Sequence, residues 1–162
     1  MTDVDVLITL IPALPLAGFA ITALFGRRLQ KRFGKRAASL LPVLLVVASW
    51  VIAMYISYLS ITGAEPFGER GHAFVLYTWI PAGAFHVDAG FFVDNLTACL
   101  LIVVTTIGML VHIYSIGYMS HDEGYWRFFA YLNLFMFSML LLVLGSSFLV
   151  VFVAWELVGL CS

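Results

Sequence analysis

The chain has 162 residues, of which 63% are hydrophobic and 10% charged, with a mean hydropathy of +1.06. A soluble domain carries about 25% charged residues, so the composition excludes a soluble helical bundle and implies an integral membrane protein. The formal net charge of −1 says little, but its distribution does: Arg27, Arg28, Lys31, Arg32, Lys35 and Arg36 are six of the eight basic residues. Between two apolar spans such a cluster reads as a cytoplasmic loop under the positive-inside rule, not as a nucleic-acid surface.

The predicted fold is an all-α polytopic membrane protein, with four transmembrane helices, an incomplete fifth and a short surface hairpin. The N-terminus lacks the positive region of a signal peptide, so the first span, about 6–25, stays in the mature protein. Pro12 and Pro15 fall inside it and remove helical hydrogen bonds; membrane helices tolerate this where neighbours satisfy the freed carbonyls. The basic loop 26–36 leads to span two, about 37–59. Residues 60–90 are mostly polar and glycine- and proline-rich. Within them Phe74–Ile80 and Phe85–Phe91 are β-prone, with Pro81–Ala84 between them, which predicts a hairpin on the membrane surface. Tyr77 and Trp79 suit an interfacial aromatic belt. Span three covers about 92–114, span four about 128–144, and the turn Gly145-Ser-Ser147 leads into span five, 148–162. From Phe148 to the end is about 22 Å of helix at 1.5 Å per residue. A hydrocarbon core is about 30 Å thick. Span five therefore reads as incomplete, and the chain as the front end of something longer.

If loop 26–36 is cytoplasmic, the N-terminus, residues 60–90 and the 145–147 turn lie outside and residues 115–127 inside. Arg70 is the one basic residue in the outer segments, in keeping with the rule.

Glu156 is the leading candidate for chemistry. It stands alone in an apolar run, about 12 Å along its helix and so near the midplane. A carboxylate there is costly and persists where it faces a protein interior or a water path and handles an ion or proton. Gly159 and Ser162 share its face. The bland alternative is a structural partner for a basic residue on another helix, and spans one to four offer no lysine or arginine at that depth.

His112 lies near the predicted cytoplasmic end of span three and titrates in a useful range; it reads as a proton-handling group or as a hydrogen-bonded interfacial residue. Asp94 opens span three, where an acid favours the helix dipole, with Asn95 and Thr97 able to cap locally. Its spacing of 18 residues from His112 is about 27 Å, so the two cannot touch. His121, Asp122 and Glu123 are consecutive and read as solvated charge, not a metal site. Glu123 and Arg127 are spaced to pair on a helix. His72 and His86 are loop residues without a visible partner. Cys99 and Cys161 lack a CxxC spacing and read as small buried packing residues. No nucleotide, haem or iron–sulfur motif is present.

Asp94-Asn-Leu-Thr97, His112-Ile-Tyr-Ser-Ile-Gly-Tyr-Met119, Glu123-Gly-Tyr-Trp-Arg-Phe-Phe-Ala-Tyr131 and Trp155-Glu-Leu-Val-Gly-Leu-Cys-Ser162 together resemble one family in order and spacing. It is the subunit L (chain 5) family of NADH–quinone oxidoreductase, respiratory complex I. The resemblance runs from about Val75 to the end, while the first two spans match in layout more than in motif. It implies that residues 1–162 are the N-terminal part of an antiporter-like transmembrane domain, a large bundle of two inverted helical repeats. It implies that Glu156 is a fifth-helix glutamate paired with a later lysine in a proton half-channel, with His112 and Asp94 as weaker proton-translocation candidates. NADH, FMN, iron–sulfur clusters and quinone would belong to other subunits, with no cofactor in this chain. Its partners would be the other membrane-arm subunits and the lipid bilayer, with no nucleic acid. Its location would be the bacterial plasma (inner) membrane, with the mitochondrial inner membrane as the alternative. Two competing readings are the large subunit of a multisubunit sodium/proton antiporter and a small non-catalytic membrane interaction protein.

Overall fold

The computed structural model describes residues 2–68, 71–82 and 85–162; Arg70 and the centre of the predicted hairpin turn, Gly83 and Ala84, lie outside the described residues. Among these residues four helices are long and apolar enough to cross a membrane: α1 (Asp3–Arg36), α2 (Ala38–Thr62), α3 (Asn95–Tyr118) and α4 (Tyr125–Leu144). A shorter apolar helix, α5 (Phe148–Cys161), follows. Strands β1 (His72–Ala82) and β2 (Phe85–Val93) form an antiparallel hairpin between α2 and α3, with His72 opposite Val93 and irregularities at Val75/Tyr77 and Thr78/Ile80.

Helix α1 opens with a capping box, in which the Thr2 side chain accepts from the Asp5 backbone and Asp5 accepts from the Thr2 backbone at 2.7 Å. Pro12 and Pro15 remain within the helix. Proline at 15 has no N–H to offer the Ile11 carbonyl one turn back. The Ser49 hydroxyl of α2 donates to that carbonyl at 2.6 Å. A neighbouring helix thus restores the bond that the proline removes, as the span reading requires.

The predicted basic loop 26–36 is instead helical up to Arg36, broken at Gly34, whose φ of 84° and ψ of 169° are not helical. Arginine, lysine, leucine and glutamine are good helix formers, and a cationic stretch in water has no reason to leave the helix. Gly34 supplies the positive φ that lets the chain turn into α2.

The ends of the bundle sort as the charge pattern predicts. At one end Lys35 Nζ donates to the Ser120 carbonyl at 2.9 Å, and the Trp126 amide donates to Gln30 Oε1 at 3.3 Å. At the other, His72 Nε2 lies 2.7 Å from Asp5 Oδ1, and the Ser146 amide donates to the Gly90 carbonyl at 3.1 Å. The basic stretch and the 119–124 turn therefore share one end. The N-terminus, the hairpin and the 145–147 turn share the other. His72 thereby has the partner that a reading of isolated loop residues misses, because Asp5 is 67 residues away.

The core joins five of these elements: Ile8 and Ile11 of α1, Ile56 of α2, Leu101 of α3, Leu140 of α4 and Val93 of β2 are fully enclosed. Cys99, predicted to be buried, is exposed on α3. An apolar span presents part of its circumference to lipid or to other protein, and sequence does not say which part. Helix α4 starts at Tyr125, earlier than the predicted 128, because the buried Tyr125 donates to Ser39 Oγ at 2.8 Å and anchors its first turn. Glu123 consequently precedes the helix, and no ion pair with Arg127 forms among the described residues.

Candidate functional site

Helix α5 starts at the 145–147 turn, where the Ser147 side chain accepts from the Val150 amide. It packs on α4 through Val150 and Ala154, both buried. Glu156 follows Ala154 by two positions, about 200° around a helix of 3.6 residues per turn, and so points away from α4. The carboxylate is exposed, flanked by exposed Phe152, Trp155 and Leu160. Open space lies where a Cβ on Gly159 would stand. No hydrogen bond or ion pair reaches Glu156 among the described residues, and neither His112 nor Asp94 is joined to it. The glutamate sits about 12 Å from the start of α5, counting eight residues at 1.5 Å each. A carboxylate that faced lipid this far into a hydrocarbon core would cost several kcal/mol.

His112 is not at the helix end that sequence suggested. Helix α3 runs on to Tyr118 and α4 begins early, so the ring is fully enclosed between them. Nδ1 lies 2.7 Å from the Gly108 carbonyl oxygen, and Nε2 lies 3.3 Å from Nδ2 of Asn133. Asn133 also donates to the Phe129 carbonyl at 3.0 Å and is fully buried. Sequence reading missed this residue, although a lone amide in the apolar run Phe128–Phe137 was the available signal. A Cβ at Gly18 of α1 would collide with Asn133 Oδ1. Gly18 is therefore the gap into which the amide fits.

Asp94 is the N-cap of α3, its Oδ1 accepting from the Thr97 amide at 2.8 Å. This local bond gives the acid a structural role at the start of the helix. Asp94→Ala should destabilise the chain by about 1 kcal/mol, while Asp94→Asn, also a good cap, should cost only a few tenths. Thermal unfolding of the detergent-solubilised chain distinguishes them; equal losses in both variants would mean that the charge, not the cap, matters. Among the described residues no group of His, Cys, Asp or Glu is placed to hold a metal ion.

Residues 79–129 match the family model described as NADH-Ubiquinone oxidoreductase (complex I), chain 5 N-terminus. The chain is 43% identical over 162 residues to NADH-quinone oxidoreductase subunit L of Neisseria meningitidis serogroup B, a match covering 98% of this chain and 23% of the relative. It is 42% identical over 154 residues to NADH-quinone oxidoreductase subunit L of Mycobacterium tuberculosis, covering 94% and 23%. It is 41% identical over 155 residues to the chloroplastic NAD(P)H-quinone oxidoreductase subunit 5 of Mesostigma viride, covering 94% and 23%. The chain thus spans about a quarter of the length of the curated relatives it matches. Its apolar helices and these likenesses make it a multi-pass membrane protein, and it belongs to the NADH-quinone oxidoreductase subunit L / chain 5 family, of which it carries the N-terminal region.

Proposed function

We propose that the chain serves in a proton-translocating membrane-arm subunit of NADH–quinone oxidoreductase, with Glu156 as a proton-carrying carboxylate. Residues 1–162 act as the N-terminal part of an antiporter-like transmembrane domain. The observation that carries the reading is Glu156 itself: a single carboxylate about midway along the apolar helix α5, exposed and turned away from α4, in a chain of which 98% matches subunit L. A buried carboxylate changes its protonation when a positive charge approaches or withdraws, because opposite charge favours the ionised form. Coupling that approach to a distant event moves a proton in steps. The electron-transfer groups (NADH, FMN, iron–sulfur clusters and quinone) are held by other subunits of the complex. The partners of this chain are the neighbouring membrane-arm subunits and lipid. The clustering of Arg27 to Arg36 at one end supports a bacterial inner-membrane placement with the N-terminus outside.

Glu156→Gln in the full-length subunit should leave the complex assembled and lower proton translocation several-fold relative to NADH oxidation. Proton uptake into inverted vesicles, normalised to NADH consumption, measures this. Undiminished pumping by a fully assembled glutamine variant would falsify the reading. Sodium-dependent transport with no link to NADH oxidation would show a cation/proton antiporter instead.

A further inference from the structure

His112, Asn133 and Gly18 meet where α3, α4 and α1 come together, and their hydrogen bonds fix every proton in the cluster. The Gly108 carbonyl can only accept, so His112 Nδ1 carries a proton and donates to it. The Asn133 amide nitrogen can only donate, so Nε2 is bare and accepts from it. The amide cannot be the other way round, since Nδ2 also donates to the Phe129 carbonyl and a flipped amide would set two acceptors against each other. This leaves Asn133 Oδ1 as the buried side-chain polar atom with no partner among the described residues. The residue is fully enclosed and the oxygen is turned toward Gly18. An open groove of about 230 Å³ lies beside the imidazole, lined by Ile107 and Val111 of α3 and Leu132, Phe135 and Met139 of α4, among others. None of the residues lining it is charged or titratable apart from His112. Gly108, Phe129 and Gly18 likewise bring no ionisable group to the ring.

A buried acceptor without a partner is the exception in a folded interior and calls for an explanation. The orphan has a use if the cluster has a second state. We infer that Asn133 gates His112: it covers Nε2, the one proton-accepting atom of the ring, and supplies Oδ1 as the acceptor for the proton once it arrives. In the second state the Nδ2–H···Nε2 bond breaks and the amide turns. The Nε2 lone pair takes a proton from hydronium, leaving water, and the new Nε2–H donates to Oδ1. The Phe129 carbonyl gives up its amide donor in the exchange. Asn133 acts here as a positioning residue and His112 as the proton-binding one. The step rests on the proton-translocation reading for its purpose, but not for its geometry.

The test uses the complete complex carrying full-length subunit, labelled with ¹⁵N-histidine, with the His112 signals identified by their loss in His112→Gln. Wild type should show a protonated Nδ1 and a bare, hydrogen-bonded Nε2 at neutral pH. Asn133→Asp should put a proton on both nitrogens at the same pH, because a carboxylate stabilises the imidazolium. Asn133→Leu, which keeps an apolar fit if the aspartate variant fails to assemble, should move the Nε2 signal to a non-hydrogen-bonded position. Both variants should pump several-fold less than wild type. An Nε2 signal unchanged in both variants overturns the geometry. Normal pumping by assembled Asn133→Asp and His112→Gln, with Glu156→Gln impaired, overturns the gate alone. Normal pumping by all of these overturns the proton-translocation reading itself.

Discussion

Gly18→Leu should cost the bundle about 3 kcal/mol, the upper part of the range for overpacking a close-packed interior. The first added atom already collides with Asn133 Oδ1 and comes within 3.1 Å of its Cγ. Asn133 cannot swing aside cheaply, because its amide is held by both the Phe129 carbonyl and His112. Losing those bonds would strand buried polar groups on two helices, each costing about 1–3 kcal/mol. Moving α1 away would open the seam that Ile8 and Ile11 fill. Denaturant unfolding of the detergent-solubilised chain, followed by helical circular dichroism, gives the loss directly. A leucine variant as stable as wild type would mean that α1 and α4 are not pressed together at Gly18.

Gly90→Val should release the hairpin from the bundle, at a cost of about 1–3 kcal/mol, and displace the start of α5. A Cβ at Gly90 would lie 2.5 Å from the Phe74 carbonyl oxygen, 3.2 Å from Val75 Cα and 3.0 Å from Ser146 Oγ. Two of those atoms are strand backbone, so the hairpin itself must open. The Gly90 carbonyl also accepts from the Ser146 amide, and Phe91 bridges to Gly145. The turn that launches α5 is therefore fastened at this point, and Glu156 is carried on that helix. Amide exchange should lose protection along β1, β2 and at Ser146, and the full-length variant should pump less although Glu156 is untouched. Ser146→Ala serves as a control. It keeps the backbone bond and should behave as wild type. Retained protection at Ser146 in the valine variant would show that the hairpin does not hold the turn.

The chain's local chemistry determined its broad architecture. Apolar runs of membrane length, the β-prone stretches around Phe74–Ile80 and Phe85–Phe91, and an acid in front of Asn95 each act over a few residues. The hairpin and the cap at Asp94 therefore stand where sequence placed them, and each predicted span overlaps a helix. Glu156 was legible for the same reason, since a lone carboxylate in an apolar run is costly wherever it points. Helix ends were less secure. The basic stretch stayed helical because water satisfies its charges in either conformation, and α4 began early because Tyr125 found Ser39 across 86 residues.

Partners distant in sequence were decided only by the tertiary structure. Asp5 and His72, Ser49 and the Ile11 carbonyl, and His112 and Asn133 are separated by 67, 38 and 21 residues. No periodicity links them, because a hydrogen bond depends on where two helices cross, and that follows from the packing of the whole bundle. Sequence by itself made His112 an end-of-helix residue and left Asn133 unnoticed. Burial in an apolar interior, where each polar atom must find a partner or stand out for lacking one, made them a single site.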